Sequence, residues 1–193
     1  METKIIENLE TDFLGKKIEY FENIDSTHNY VKKLPDEKLE NGMIILAENQ
    51  TSGVGTHGRK WHTEKGKNLT FNIVLIPNCD IKKIEKLTIV IAKCIVRSLE
   101  KLYNIKTNIK EPNDIILNGK KLAGILTESI SQGKIIKKIY IGIGINVNQE
   151  FFNDEIEKIA TSLKKEFKKD FSKTLILKSF LEIFEKEYIK LIK

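Results

Sequence analysis

Two apolar runs, Asp114–Leu117 and Leu122–Glu128, flank the dipeptide Asn118-Gly119, in which both residues tolerate positive φ. The pair predicts a tight hairpin between antiparallel strands. Lys106–Lys110 and Lys137–Asn146 read as two further strands, giving four in about forty residues. Upstream, Lys17–Glu22 alternates like a strand, Met43–Ala47 is a short buried run, and Asn68–Pro77 returns to strand character. Helices are fewer. Asp25-Ser26-Thr27 reads as a turn and N-cap for a short helix that stops before Pro35. Ile84, Leu87, Ile91, Cys94/Ile95, Ser98/Leu99 and Leu102 recur at helical spacing, and Ile156–Leu163 and Leu175–Ile192 complete the helical segments. In the last of these, Leu177, Phe180, Leu181, Phe184, Tyr188 and Leu191 share one face. Strand runs joined by hairpins, with a few helices, predict an α+β fold with a mixed, mainly antiparallel sheet packed against helices, not a doubly wound one.

The chain has 193 residues, enough for one domain with a real core, and a single domain over residues 1–193 is the expectation. No apolar leader is visible at the N-terminus. The apolar stretches are interrupted by charge, so neither a membrane span nor a membrane partner is expected. Cys79 and Cys94 stand in no CxxC or Cys/His array, which fits reduced thiols of the cytoplasm. The formal charge of +6 comes from lysines spread along the chain among 27 acids, with arginine at positions 59 and 97 alone. No dense basic stripe forms, and nucleic acid is not an expected partner. The spacing of His28, His57 and His62 supports no metal cluster.

Three segments carry chemistry that packing does not require. Gln50–Trp61 contains Gly53, Gly55 and Gly58, whose backbone N–H groups can approach an anion, plus Arg59 for a phosphate and Trp61 for a flat ring. A flexible surface loop is equally glycine-rich. Lys110–Asp114 leads into the hairpin and Lys120-Lys121-Leu122-Ala123-Gly124; Asn113 and Asp114 offer oxygen ligands suited to Mg²⁺. An ordinary hairpin with solvated lysines has the same composition. In Ile141–Asn148, glycines at 142 and 144 alternate with isoleucines, which clears one strand face for a ligand or for a close-packed neighbour.

In this order the segments resemble the catalytic domain of biotin–protein ligases, in the biotin/lipoate ligase superfamily. That family carries G-R-x-W, K-W-P-N-D, K-x-x-G-I-L and G-x-G-I-N elements, present here as Gly58–Trp61, Lys110–Asp114, Lys121–Leu126 and Gly142–Asn146. Asp25-Ser26-Thr27 matches its D-S-T-N start, and Ala160–Leu163 its A-T-S-L. The resemblance implies a fold like that of class II aminoacyl-tRNA synthetases. It implies that biotin and MgATP form biotinyl-5′-AMP, and that a lysine of a biotin carboxyl carrier domain of a carboxylase then displaces AMP. It places Lys121 and Arg59 as catalytic residues, and Ser26, Thr27, His28, Gln50, Gly53, Val54, Gly55, Thr56, Lys121 and Gly124 around biotin. Arg59, Trp61, Asn113 and Asn146 would serve ATP, and Asp114 would help hold Mg²⁺. Independently of the resemblance, strand alternation predicts that Lys120 points away from Lys121.

The pattern has departures. Val54 and Thr56 stand where well-known members have loop arginines, Glu111 where they have tryptophan, and His28 where they have asparagine. The N-terminal winged helix and C-terminal β-barrel of many members are not expected, and a homodimer is allowed. Lipoate or octanoate transfer, and a non-catalytic biotin- or adenylate-binding relative, stand as the alternatives.

Overall fold

The structure is a computed structural model and describes residues 9–193. Its strands are β1 (Ile18–Phe21), β2 (Ile44–Ala47), β3 (Gly53–Val54), β4 (Lys60–Trp61), β5 (Leu69–Leu75), β6 (Cys79–Asp80), β7 (Asn108–Lys110), β8 (Asp114–Leu117), β9 (Lys120–Gln132) and β10 (Ile135–Ile145). The α-helices are α1 (Thr27–Lys33), α2 (Leu87–Tyr103), α3 (Leu163–Phe167) and α4 (Lys173–Ile192).

The main sheet runs β1-β2-β5-β10-β9-β8-β7, with β6 pairing the start of β10. The β1–β2 pair is parallel and the other pairs are antiparallel, so the expected mixed α+β sheet is present. Asn118 (φ 50°) and Gly119 (φ 78°) form the predicted turn between β8 and β9. Both residues take the left-handed conformation that a two-residue hairpin turn needs.

Strand alternation gives the sheet two unlike faces. On one, Leu46, Phe71, Ile73, Ile141 and Ile143 meet Ile91, Ile95 and Leu99 of α2 and Leu177, Phe180 and Phe184 of α4 in the main core. On the other, Ile45, Val74 and Tyr140 pack under Val31 of α1 in a smaller cluster. Beside that cluster the face carries Asn72, Gly142, Gly144 and Gly124, side by side across β5, β10 and β9. Too little apolar bulk remains there to hold a helix, and the site opens on this stretch.

One expected element is absent. Ile156–Leu163 is not a helix, because its backbone is used elsewhere. Lys121 N–H donates to the Ile159 carbonyl (2.8 Å) and Thr161 N–H to the Lys121 carbonyl (3.0 Å), so residues 159–161 lie alongside β9. The helix starts later, at Leu163, where the Ser162 side chain accepts from Lys165 N–H (2.9 Å).

The buried carboxylate of Glu185 on α4 ties down the segment that enters β1. It accepts from the backbone N–H of Asp12 (2.5 Å), Phe13 (2.9 Å) and Leu14 (2.8 Å).

Candidate functional site

The glycine-rich segment folds back as a small hairpin, β3 against β4, with Gly53 opposite Trp61 and Val54 opposite Lys60. Its tip is tight: Gly55 N–H donates to the Arg59 carbonyl (2.7 Å), and His57 is left-handed (φ 57°). The exposed Arg59 guanidinium folds back on Thr56, donating to its carbonyl (3.2 Å) and hydroxyl (2.8 Å). At its base, a partly buried ion pair between Glu48 and Lys173 (2.6 Å) anchors the segment to α4.

This hairpin lays the Trp61 indole across the bare face of the sheet. A Cβ at Gly144 would stand 2.6 Å from Trp61 Nε1, and one at Gly124 3.2 Å from Cζ3. No side chain larger than hydrogen fits at Gly144. The alternating glycines of β10 therefore clear room for an aromatic wall from the chain's own loop.

Two clefts adjoin this wall. The smaller, about 440 Å³, is bounded by Ser26, Thr27, His28, Gln50, Val54, Gly55, Thr56, Trp61, Asn113, Lys121, Gly124 and Gly142, among others. Its polar groups are already oriented. Gln50 Oε1 accepts from the Thr27 N–H (2.8 Å) and hydroxyl (3.0 Å), which leaves the Gln50 amide N–H groups to donate to a ligand. The Ser26 hydroxyl caps α1 by accepting from Asn29 N–H (3.3 Å). Asn113 donates to the Ile125 carbonyl (3.0 Å), pinning the approach to β8 against β9.

The larger cleft, about 1350 Å³, lies between the hairpin, β8 and the 152–160 segment. Arg59, Lys60, Lys110, Lys121 and Lys158 line it against one carboxylate, Asp114, while Phe152, Ile156 and Ile159 give it an apolar side. A polyphosphate joined to a flat base fits such a lining. Asn146 is also there, its amide donating to the Thr161 carbonyl (3.0 Å).

Lys121 lines both clefts. Its position comes from a register shift: Ile116 pairs with Lys121 but Ile115 pairs with Ala123, so Leu122 is the extra residue of a β-bulge. The bulge turns the Lys121 ammonium to Asp114 Oδ1 (2.7 Å) and 5.7 Å from the Trp61 ring centroid. Lys120 points elsewhere, donating to the Glu157 carbonyl (3.2 Å).

Known proteins resemble this chain in sequence and fold. The model of the biotin/lipoate A/B protein ligase family matches residues 20–146. The chain belongs to that family. It is 35% identical over 189 residues to the bifunctional ligase/repressor BirA of Bacillus subtilis, covering 97% of this chain and 58% of that protein. It is also 31% identical over 126 residues to the biotin–[acetyl-CoA-carboxylase] ligase of Mycobacterium tuberculosis, covering 63% of this chain and 45% of that one. Among solved structures, the biotin protein ligase of Aquifex aeolicus in complex with biotin and ATP superposes with a TM-score of 0.79 at 31% identity, over 91% of this chain and 71% of that chain. The chain thus spans a little over half the length of the Bacillus BirA relatives it matches.

Against this family background, the sequence-predicted residues from Ser26 to Gly124 gather around the smaller cleft, except that Gly53 lies in the hairpin backbone behind it. Of the residues expected to serve ATP, Arg59, Trp61 and Asn146 reach the larger cleft, whereas Asn113 lines the smaller one and Trp61 lines both. Asp114 is the carboxylate facing Lys121. No group of three or more His, Cys, Asp or Glu side chains that could hold a metal occurs among the described residues.

Sequence reasoning passed over Asn72, Glu128 and Phe152. Asn72 had a partial signal, a carboxamide that with Thr70 interrupts the apolar Leu69–Leu75 run. Its Nδ2 lies 2.9 Å from His28 Nδ1, and His28 Nε2 lies 3.3 Å from Glu128 Oε1. Burial pushes the His28 pKa down more than the Glu128 carboxylate pulls it up. The folded protein therefore binds a proton at His28 less readily than the unfolded chain, whose histidine keeps its ordinary value of 6.5. This contribution to stability is whole above that value and is lost as pH falls below it, through the lowered value of the folded state. Urea midpoints should drop over that fall in pH in the native protein and drop less in His28→Asn. Equal drops would place the titration at another group.

Proposed function

We propose that this chain is the catalytic part of a biotin–protein ligase. It would join biotin to AMP and then pass the biotinyl group to a lysine of a biotin carboxyl carrier domain. The observation that carries the reading is the place of Lys121, a single ammonium in the wall common to a small polar-and-aromatic cleft and a large basic one. The names of the relatives and the Aquifex complex with biotin and ATP support biotin over lipoate or octanoate.

In the first step a biotin carboxylate oxygen attacks the α-phosphorus of ATP. The new O–P bond replaces the bond to the leaving pyrophosphate. Two anions must meet, and a unit positive charge about 4 Å from each offsets roughly 4 kcal/mol of charge at a surface-like dielectric. Lys121 is placed to supply it by exchanging Asp114 for the incoming oxygens. In the second step the carrier lysine, as the free amine, attacks the acyl carbon and AMP departs with the bridging oxygen. Trp61 and the β3–β4 hairpin wall the anhydride from water.

Mg²⁺ would lower the charge of the phosphates. Asp114 is the carboxylate that would help hold it, since this ion commonly binds through one or two carboxylates together with substrate phosphates. Arg59, exposed at the hairpin tip, would leave Thr56 for a phosphate. Free Cys79 and Cys94 fit a cytoplasmic setting.

The test is pyrophosphate release. With ATP and Mg²⁺ present, release should depend on added biotin and not respond to lipoate or octanoate. Biotin-independent release, or none, would overturn the reading.

A further inference from the structure

The backbone of Lys121 is gripped by a segment that belongs to no strand. β10 pairs with β9 only as far as Ala123, and beyond it residues 159–161 take over as the neighbour of β9. Lys121 N–H donates to the Ile159 carbonyl (2.8 Å), and Thr161 N–H donates to the Lys121 carbonyl (3.0 Å). The same strap borders the large cleft through Ile159 and Ala160. A shift of the strap therefore displaces the ammonium and the cleft wall together.

One side chain ties this strap to the hairpin. Glu166 of α3 accepts from the Thr161 hydroxyl with one carboxylate oxygen and from the Asn118 amide (2.6 Å) with the other. Thr161 lies on the strap and Asn118 in the turn that ends β8, so the carboxylate spans the two neighbours of the Lys121 backbone. Bonds to a charged acceptor are stronger than neutral ones. The Thr161 bond, helped by Asn118, Lys120 and Lys168, keeps the Glu166 carboxyl below its ordinary range against the opposing effect of burial. Glu166 lines neither cleft, and it is not part of the core. Its bridge is left with the strap and the turn as what it serves.

We propose that Glu166 is a positioning residue for the joining step, a clamp that acts through Thr161 and Asn118 to hold the Lys121 ammonium in place between the two clefts. This rests on the biotin reading for the step it serves. Misplacing a reacting group by about 1 Å can cost about a hundredfold in rate. The bulge and the backbone bonds of the strap survive loss of the clamp, so about tenfold is expected in kcat. The KM for biotin should hold, because Gln50 and Thr27 are oriented by bonds of their own.

Breaking the bridge and remaking it in the opposite sense tests the clamp. Glu166→Ala removes the acceptor, and Asn118→Asp sets a second carboxylate against it while keeping a residue type suited to the left-handed turn. In both variants the Lys121 amide should exchange with solvent about tenfold faster than in the native protein. In both, kcat for biotin-dependent pyrophosphate release should fall about tenfold, with the KM for biotin within about twofold of native. The double variant Asn118→Asp with Glu166→Gln should recover most of each loss: the glutamine oxygen accepts from Thr161 while its N–H donates to the carboxylate at position 118. Native kcat and native Lys121 exchange in Asn118→Asp, or no recovery in the double variant, overturns the clamp and leaves the biotin reading standing. Lower stability with unchanged kcat makes the bridge structural alone and overturns it too. Asn118 is exposed, so Asn118→Asp decides even if Glu166→Ala does not fold. Absence of biotin-dependent release from the native protein overturns the biotin reading, and with it the step assigned to the clamp.

Discussion

Lys121→Ala should lower biotin-dependent pyrophosphate release by about a thousandfold or more, because it removes the charge that acts where the two anions join. Single donors aimed at developing charge are worth about a hundredfold to a thousandfold in comparable sites. An ammonium carrying full charge in a half-enclosed cleft belongs at or above the top of that range. The control is its neighbour. Lys120 donates to the Glu157 carbonyl and lines neither cleft, so Lys120→Ala should change the rate less than about twofold. Lys121→Arg should not restore native activity, since a planar fork replaces a point charge beside the Trp61 ring. Similar rates in the two alanine variants would remove Lys121 from its assigned role.

The second large effect is on stability. Glu185→Ala strips the acceptor from the N–H groups of Asp12, Phe13 and Leu14, all held by a carboxylate that is 4% exposed. Hydrogen bonds to a charged group are worth about 1.5–3 kcal/mol each. Water entering the space recovers part of the loss, so about 3 kcal/mol is expected overall. For a domain of this size that corresponds to a fall in Tm of about 10 °C. Glu185→Gln should fall between, because the amide retains an oxygen but turns N–H groups towards other donors. The site lies on the opposite face of the sheet from α4, so folded Glu185→Ala should still bind biotin. A loss below about 1 kcal/mol would show that solvent satisfies these N–H groups equally well.

Much of this molecule was legible as sequence, for reasons that differ by element. The α2 periodicity and the Asn118-Gly119 turn are local signals, and neighbouring structure does not override them. The 156–163 segment misled because its apolar spacing suits a helix, while its backbone is committed to Lys121, a partner far away in sequence. Long-range pairing leaves no periodic trace.

The site divides in the same way. The motif residues are contiguous in sequence and could be read as groups. The bulge at Leu122, which aims Lys121, depends on how β8 and β9 register and appears only in the fold. The glycines of β10 were visible, but their neighbour, the Trp61 indole, was not. That Asn72 and Glu128 flank His28 is a matter of sheet register and appears only in the fold.

The account stands on the joining of a carboxylate to phosphorus at Lys121, and an isotope follows that bond directly. Biotin labelled with ¹⁸O in its carboxylate, incubated with the protein, ATP, Mg²⁺ and hydroxylamine as acceptor, should yield the hydroxamate together with AMP carrying one labelled oxygen. Hydroxamate formation without label in AMP, or AMP without hydroxamate, would contradict it.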